Sequence, residues 1–300
     1  MSTAVLTLEG TAARVRTHAA DYLALTKPRV VTMVLFTTLA GFYLAGNGTF
    51  DFILALRLLA GTALAAGGTL ALNQYIERDL DALMERTRRR PLPEGRLSPA
   101  QALAFGAAAT SCGLVMLLTM VNALCAATVA ATSVVYLFGY TPLKRVSWIC
   151  NLVGAISGAL PPVAGWAAAR GSVGAEPIVL FAIMYLWQLP HALAIARLHH
   201  RDYARAGMCL LPPDTPRGNP SGRLIVGYCT ALVVAGAIPT LMGFAGMTYL
   251  FVAVAFGLTF LFYARGLNQV GAPAAAARRV VLASIAYLPA VLLVLVLDKI

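Results

Sequence analysis

Nine apolar runs of about 20 residues, separated by polar connections, constrain this chain more than any other feature of its sequence. A run of that length can cross the hydrocarbon core of a bilayer as an α-helix, because a helix satisfies its backbone hydrogen bonds internally. The chain is 59% apolar and only 12% charged, whereas soluble domains contain about 25% charged residues. The runs cover residues 28–46, 52–75, 100–120, 123–140, 148–168, 177–196, 224–243, 248–264 and 280–297. The sequence therefore predicts an all-α polytopic membrane protein with nine transmembrane helices.

The distribution of basic residues predicts which side of the membrane each connection faces. Twenty of the 23 lysine and arginine residues fall in the amino-terminal segment and in the connections after the second, fourth, sixth and eighth runs. Because basic loops stay on the cytoplasmic side, we predict a cytoplasmic amino terminus, with residues 1–27 forming an amphipathic cytoplasmic arm. The same loops account for the net charge of +11, so we do not assign that charge to nucleic-acid binding.

Two connections are much longer than the turns around them, and they cover residues of about 76–99 and 197–223. Both lie on the predicted cytoplasmic face, and together they hold seven of the twelve acidic residues. Long polar connections in an otherwise tight bundle tend to carry function. We therefore predict a single membrane-embedded domain over residues 28–298 whose active face is cytoplasmic.

Four polar residues at helical spacing, Asn73, Glu77, Asp81 and Glu85, mark the start of the first long connection. In a helix, each member advances by only about 40° around the axis, so the four side chains share one face. Carboxylates at this spacing repel each other, and a bound divalent cation would reverse the sign of that interaction. Mg²⁺ selects such oxygen ligands and usually binds one or two carboxylates together with substrate phosphates. The other interpretation is an ordinary solvated helix end, but ionisable groups at a bilayer interface favour a functional site.

Basic residues in the same layer predict that an anion binds beside this metal. Arg86 and Arg90 follow the acids and lie one turn apart, and guanidinium groups bind phosphate oxygens in a bidentate manner. Part of the arginine run sets the topology. Lys27, before the first apolar run, and Lys144, after the fourth, fall in the same layer, where snorkelling anchors are the alternative. An anion bound in this layer could be held from several sides.

His191 lies in the cytoplasmic half of the sixth apolar run, next to Pro190. A lone buried histidine is more often a hydrogen-bonded core residue than a ligand. At membrane depth, however, an ionisable side chain is costly to bury, and this favours a functional role. The residue type allows a role as a haem-iron ligand or as a proton partner.

These residues belong to longer motifs that together resemble the UbiA-type intramembrane prenyltransferases, in the branch that farnesylates haem. The motifs are N-x-x-x-E-x-x-x-D from Asn73, M-x-R-T-x-x-R-P-L from Met84, LTKPR from Leu25, YTPLKR from Tyr140, GALPPVAGW from Gly158, LWQLPHALAIA from Leu186 and RDYARAG from Arg201. They extend over about two thirds of the chain. The resemblance implies nine helices around a central cavity. It also implies transfer of farnesyl from farnesyl diphosphate to a vinyl group of haem B, with addition of water to give haem O.

The resemblance also implies roles for individual residues. Three would hold Mg²⁺ on the diphosphate, namely Asn73, Glu77 and Asp81. Four would neutralise the diphosphate oxygens, namely Lys27, Arg86, Arg90 and Lys144. Asp202 would contribute from the second long connection, and His191 would face the porphyrin. Relatives acting on small aromatic compounds carry a second aspartate pair, whereas here Arg201 precedes Asp202 and only one acid remains. At the position of Glu77 the family is expected to carry Asp at least as often as Glu, and Cys209 stands where Pro is expected.

The predicted setting is a bacterial cytoplasmic (inner) membrane, with haem A synthase or terminal oxidase assembly proteins as partners of the product. Two other functions compete with this interpretation. A prenyltransferase for a quinone precursor or another aromatic acceptor is disfavoured by His191 and by the missing second acidic pair. An ion-coupled secondary transporter is disfavoured because its acids would lie near the middle of the membrane in broken helices, and not at one face with arginines.

Overall fold

The computed structural model describes residues 18–46, 48, 50–213, 219–269 and 271–300. In these ranges nine helices are long and apolar enough to cross a membrane. We number them α1 (Pro28–Ala45), α2 (Phe52–Leu83), α3 (Pro99–Met120), α4 (Ala123–Leu143, regular as far as Val134), α5 (Cys150–Arg170), α6 (Ala175–Leu198), α7 (Pro220–Leu241), α8 (Met247–Arg265) and α9 (Ala274–Leu297). Most of the predicted arm lies outside the described residues, and its last part, 18–25, is helical.

Helix α2 extends well beyond the apolar run from which it was predicted. It contains 32 residues, so it is about 48 Å long, whereas the hydrocarbon core of a bilayer is about 30 Å thick. The Asp51 side chain accepts a hydrogen bond from the Leu54 backbone N–H at 2.9 Å and caps the start. The helix ends at Leu83, so Glu85 lies past its end and does not share the helical face predicted for it. The last turns of α2 therefore carry the polar residues beyond the apolar layer.

Close helix contacts at glycines fix the position of α2 and α1. A Cβ atom on Gly113 of α3 would collide with the Ala65 backbone of α2, and a Cβ on Gly165 of α5 would collide with the Thr38 carbonyl of α1. Small residues of this kind let helices approach closely, and such approach drives packing inside a membrane. The two helix pairs therefore form a rigid support on which the polar end of α2 is held.

Helix α4 does not end as a regular α-helix. It continues as a π-helix, Val135–Tyr140, and one further helical turn, Thr141–Leu143. The connection 84–98 and the described part of the second long connection, 199–213, lie on the same side of the bundle, which we call the loop face. Apolar side chains join them, because Met84 of the first packs in one buried cluster with Met208 and Leu210 of the second. The two connections are thus held together over the ends of α2, α4 and α6.

Candidate active site

A cavity of about 770 Å³ opens at the loop face. It is bounded by the start of α1, the ends of α2, α4 and α6, and both long connections. Five cationic and two anionic side chains line it, an excess of three positive charges. The cations are Lys27, Arg29, Arg86, Arg90 and Lys144, and the anions are Glu77 and Asp81. A cleft with this charge excess attracts an anion that carries several negative charges, such as a diphosphate.

Helix α2 presents three of the predicted site residues on one face, and we call Asn73, Glu77 and Asp81 the ladder. The i+4 spacing places them one above the other, as the sequence predicts. Their exposed fractions are 0%, 5% and 1% in chain order. Buried charges of like sign need partners of opposite sign, since an unpaired carboxylate is costly to remove from water.

Each ladder acid has a cationic partner from another part of the chain. The Lys144 Nζ donates a hydrogen bond to Glu77 Oε1 at 2.7 Å, and an Arg90 guanidinium nitrogen donates to Asp81 Oδ2 at 2.6 Å. Burial acts to lower the pKa of Lys144, but the adjacent Glu77 carboxylate outweighs it, so this pKa is raised and the lysine stays charged. The acids and the basic residues predicted from the sequence therefore meet in one site.

The orientation of the Asn73 amide is fixed by hydrogen bonds on both sides. Its Oδ1 accepts from Lys27 Nζ at 2.9 Å, and its Nδ2 donates to the Thr141 hydroxyl at 3.1 Å. Thr141 donates its own proton to the Tyr136 carbonyl at 2.8 Å, so toward Asn73 the hydroxyl can only accept. The carbonyl group involved belongs to the π-helix, a feature often found at functional sites. Thr141 thus directs the amide oxygen of Asn73 toward the cationic side.

Lys27 reaches this position from a strained backbone conformation. Among the described residues it is the one non-glycine residue with a positive φ, at 50°, and such conformations cost on the order of 1–3 kcal/mol. The Gln74 amide helps to hold the preceding segment by donating to the Leu25 carbonyl at 2.8 Å. Burial, and then the positive charges of Arg90 and Lys144, lower the pKa of Lys27 to about 7. An additional anion in the cavity would relieve this repulsion.

The second long connection contributes an aromatic residue to the cavity but leaves Asp202 outside its lining. An Arg86 nitrogen lies 3.5 Å from the Tyr203 hydroxyl, and its guanidinium carbon lies 5.8 Å from the centre of the Tyr203 ring. Asp202 contacts Arg205 at 3.6 Å, and Arg205 contacts Glu85 of the first connection at 3.0 Å. Asp202 therefore belongs to an ion-pair group between the two connections, and its role in metal binding stays a prediction.

A second, largely apolar cavity of about 160 Å³ adjoins the first, and Val30 lines both. Its lining extends along α2 from Leu70 to Thr62, a rise of about 12 Å toward the middle of the bundle. The Thr62 hydroxyl is buried and has no hydrogen-bond partner among the described residues. The apolar lining of this cavity suits a hydrocarbon chain attached to a group held in the first cavity.

His191 lies on the part of α6 that adjoins both cavities, although it is not among the lining residues of either. Gln188, three residues earlier, lines the apolar cavity, and Ile195, four residues later, lines the charged one. Residues at these spacings lie on neighbouring positions of one helix face. The predicted contact of His191 with a porphyrin stays a prediction.

Nine of the lining residues were not assigned to the site from the sequence, among them Arg29, Tyr203 and Met208. Arg29 follows Lys27 in the same LTKPR motif, and that proximity was the available signal. Tyr203 and Met208 carry no charge, and no spacing pattern relates them to the ladder. Only the contact between the two long connections places them there.

The donor atoms of the ladder match the requirements of Mg²⁺. The part of the chain that the structure describes contains no group of three or more His, Cys, Asp or Glu side chains that could hold a metal by itself. The ladder instead supplies the carboxylates of Glu77 and Asp81 at the wall of a cavity that is large enough for a phosphorylated ligand. Asn73 is not among the lining residues, and its amide oxygen, one turn before Glu77, is bonded to Lys27. Mg²⁺ is commonly bound in this way, with the remaining positions filled by water and substrate phosphates.

Comparisons with known proteins were made for both sequence and structure. The profile of the UbiA prenyltransferase family matches residues 34–288. A protoheme IX farnesyltransferase of Solibacter usitatus is 44% identical over 288 residues, which is 93% of this chain and 98% of that protein. The protoheme IX farnesyltransferase of Aquifex aeolicus is 43% identical over 243 residues, covering 80% of this chain and 82% of the relative.

Solved structures share the fold at low sequence identity. A digeranylgeranylglyceryl phosphate synthase superposes with a TM-score of 0.78 at 16% identity, covering 93% of this chain and 98% of the other. A UbiA homolog from Archaeoglobus fulgidus bound to GPP and Mg²⁺ superposes with a TM-score of 0.65 at 18% identity, covering 92% and 99% of the two chains. At these identities the likeness concerns the arrangement of the helices.

Proposed function

Because the chain belongs to the UbiA prenyltransferase family, and is therefore a multi-pass membrane enzyme that transfers prenyl groups, we propose that it farnesylates haem B. The farnesyl group of farnesyl diphosphate is transferred to a vinyl group of haem B, water adds, and haem O and diphosphate are released. The curated relatives support this choice of substrates, because they are protoheme IX farnesyltransferases.

One observation carries the proposal, namely that the charged cavity and the apolar cavity adjoin each other. A prenyl diphosphate has the same division, with a highly charged head and a hydrocarbon chain. The excess of three positive charges faces the head, and the apolar cavity receives the chain. The bond to be broken joins these two parts of the substrate and would lie where the cavities meet.

The basic residues of the cavity stabilise the charge that develops during ionisation. When the bond between farnesyl C1 and oxygen breaks, the electron pair stays on the diphosphate. Cations already aimed at that position stabilise the transition state more than the ground state. We assign this role to Lys27, Arg86, Arg90 and Lys144. Mg²⁺ held by the ladder would act as a Lewis acid on the same oxygens when bound.

The rest of the cavity determines what the allylic cation meets. Apolar walls keep water away while the terminal carbon of a haem vinyl group attacks farnesyl C1. The new C–C bond leaves a cation on the vinyl carbon attached to the porphyrin, and water adds to that carbon with loss of a proton. His191 lies on α6 between Gln188 and Ile195, which line the apolar and the charged cavity, and we propose that it contacts the porphyrin.

We further propose that the enzyme lies in a bacterial cytoplasmic membrane with its loop face toward the cytoplasm, as the distribution of basic residues indicates. Farnesyl diphosphate would then reach the site from the aqueous side. The product would pass to haem A synthase or to terminal oxidase assembly proteins.

The direct test is incubation of the purified protein with haem B, farnesyl diphosphate and Mg²⁺, followed by mass spectrometry for haem O. Asp81→Asn and Arg86→Ala should each abolish product while the protein still inserts into the membrane. Asp79→Asn is the matched control, because the Asp79 side chain on the same helix is 83% exposed and should not matter. Turnover of a hydroxybenzoate acceptor without any haem product would refute the proposed acceptor.

A further inference from the structure

Hydrogen bonds around Ser284 of α9 determine which nitrogen of His191 carries a proton. Ser284 is fully buried, and its hydroxyl donates to the Val281 carbonyl at 2.6 Å. A hydroxyl has a single proton, so toward His191 the same oxygen can only accept. His191 Nδ1 lies 2.6 Å from that oxygen and must therefore carry the proton and donate it.

The second ring nitrogen then has a free lone pair. An apolar helix bundle disfavours a charged imidazolium, and a neutral imidazole carries one N–H. With the proton on Nδ1, the Nε2 atom can accept a hydrogen bond or bind a metal ion. Histidines that bind metals have this arrangement, in which the remote N–H donates to a protein oxygen and increases the basicity of the ligating nitrogen.

Trp187 holds the same imidazole in a fixed plane. The two rings stack with their centres 5.2 Å apart and an angle of 17° between the planes. The indole Nε1 donates to the Ser284 carbonyl at 2.8 Å, so Trp187 and His191 are both attached to one residue of α9. A side chain fixed at several points loses little conformational freedom when it binds a ligand, and this is typical of a preorganised site.

We propose that His191 Nε2 is an axial ligand of the haem iron and that Ser284 is a positioning residue that sets the tautomer of His191. Gln188 and Ile195, on the turns of α6 before and after His191, line the apolar and the charged cavity, so iron ligation at His191 would hold the porphyrin near both. The inference rests on the proposed function only in taking haem as the acceptor.

Binding of hemin to the purified protein in detergent tests the inference without any turnover. The Soret band and electron paramagnetic resonance report the iron ligand, and the iron–imidazole stretching band of the reduced complex reports the hydrogen bond at Nδ1. His191→Ala should abolish the histidine-ligated spectrum. Ser284→Ala should weaken hemin binding by about 10- to 100-fold and lower the stretching frequency, as expected for loss of a partner behind a metal ligand. Ser284→Thr, which keeps the hydroxyl, should restore both.

Tyr287→Phe is the matched control for Ser284→Ala. Tyr287 lies one turn further along α9, is fully buried, and has a hydroxyl without a partner among the described residues, so its loss should leave the hemin spectrum unchanged. Thermal unfolding of each variant separates misfolding from a change of ligand. If folded His191→Ala gives the wild-type hemin spectrum, His191 is not the iron ligand. If folded Ser284→Ala gives the wild-type stretching band, Ser284 does not set the tautomer of His191. If the wild-type protein still forms haem O in either case, the proposed function stands although the inference about His191 and Ser284 is wrong.

Discussion

The buried ion pair between Glu77 and Lys144 should contribute more to folding than any pair on the surface of the loop face. We consider Lys144→Met, Glu77→Gln and the double variant, which retain most of the side-chain volume at each position. The two side chains are only 7% and 10% exposed, and their charged atoms are 2.7 Å apart. Lys144→Met leaves the Glu77 carboxylate buried beside an apolar side chain, and Glu77→Gln leaves the Lys144 ammonium buried beside a neutral one.

Removal of one partner from a buried pair costs about 3–5 kcal/mol, because the remaining charge is left uncompensated. Lys27 also interacts with Glu77, so in Lys144→Met we expect the lower end of that range, about 3 kcal/mol. The double variant removes both charges and should be within about 1–2 kcal/mol of the wild type, as replaced buried pairs often are. The single losses therefore should not add.

Reversible unfolding of the detergent-solubilised protein by SDS, followed by circular dichroism, gives the free energies for this double-mutant cycle. The control is a second cycle on Arg205 and Glu85, whose side chains are 51% and 65% exposed at a similar separation of 3.0 Å. Exposed pairs contribute about 0–1 kcal/mol. If the Glu77–Lys144 coupling is no larger than the coupling of this surface pair, our view of the ladder as a set of buried, compensated charges is wrong.

Two further changes probe the supports of the site. Thr141→Val should release the Asn73 amide and raise the Mg²⁺ concentration needed to bind a farnesyl diphosphate analogue by about tenfold, as for other residues behind metal ligands. The control Thr128→Val removes a hydroxyl that is bonded within α4 and should leave that concentration unchanged. Equal binding in both variants would contradict the role of Thr141. Gly113→Ala should destabilise the protein by at least about 1–3 kcal/mol through overpacking. In the control Gly227→Ala the added methyl group meets open space, so the stability should not change. If thermal unfolding shows Gly113→Ala to be as stable as Gly227→Ala, α3 can shift away from α2.

Most of the fold followed from hydropathy, because each span must be long and apolar for the same physical reason. The comparisons confirm the predicted family, the prenyltransferase class and the nine-helix bundle. The ends of the helices were less predictable. The run that appeared to stop at Tyr75 continues as helix to Leu83, since hydropathy reports the apolar layer and not where helical hydrogen bonds end. The π-helix at Val135–Tyr140 left no pattern in the sequence.

The residues of the ladder were predictable from the sequence, but most of their partners were not. Helical spacing was enough to place the ladder on one face, because that relation is local. Arg90 and Asp81 are only nine residues apart, but Lys144 and Glu77 are 67 residues apart, and no local pattern indicates that they meet. The same holds for Tyr203 and for the partner of His191, which lies 93 residues away on another helix.

The three contacts of the ladder explain why a charged site can exist at this depth before any ligand arrives. Each ladder residue has a cationic partner. Lys27 precedes α1, Arg90 lies in the connection after α2, and Lys144 lies in the connection after α4. All three cations also line the cavity that fits a diphosphate. When a divalent cation binds the ladder oxygens, it replaces these three partners. The three cations then stay buried without compensation unless an anion binds beside them at the same time. Metal and diphosphate therefore favour each other's binding, because each compensates the buried charge that would be left unpaired if the other bound alone.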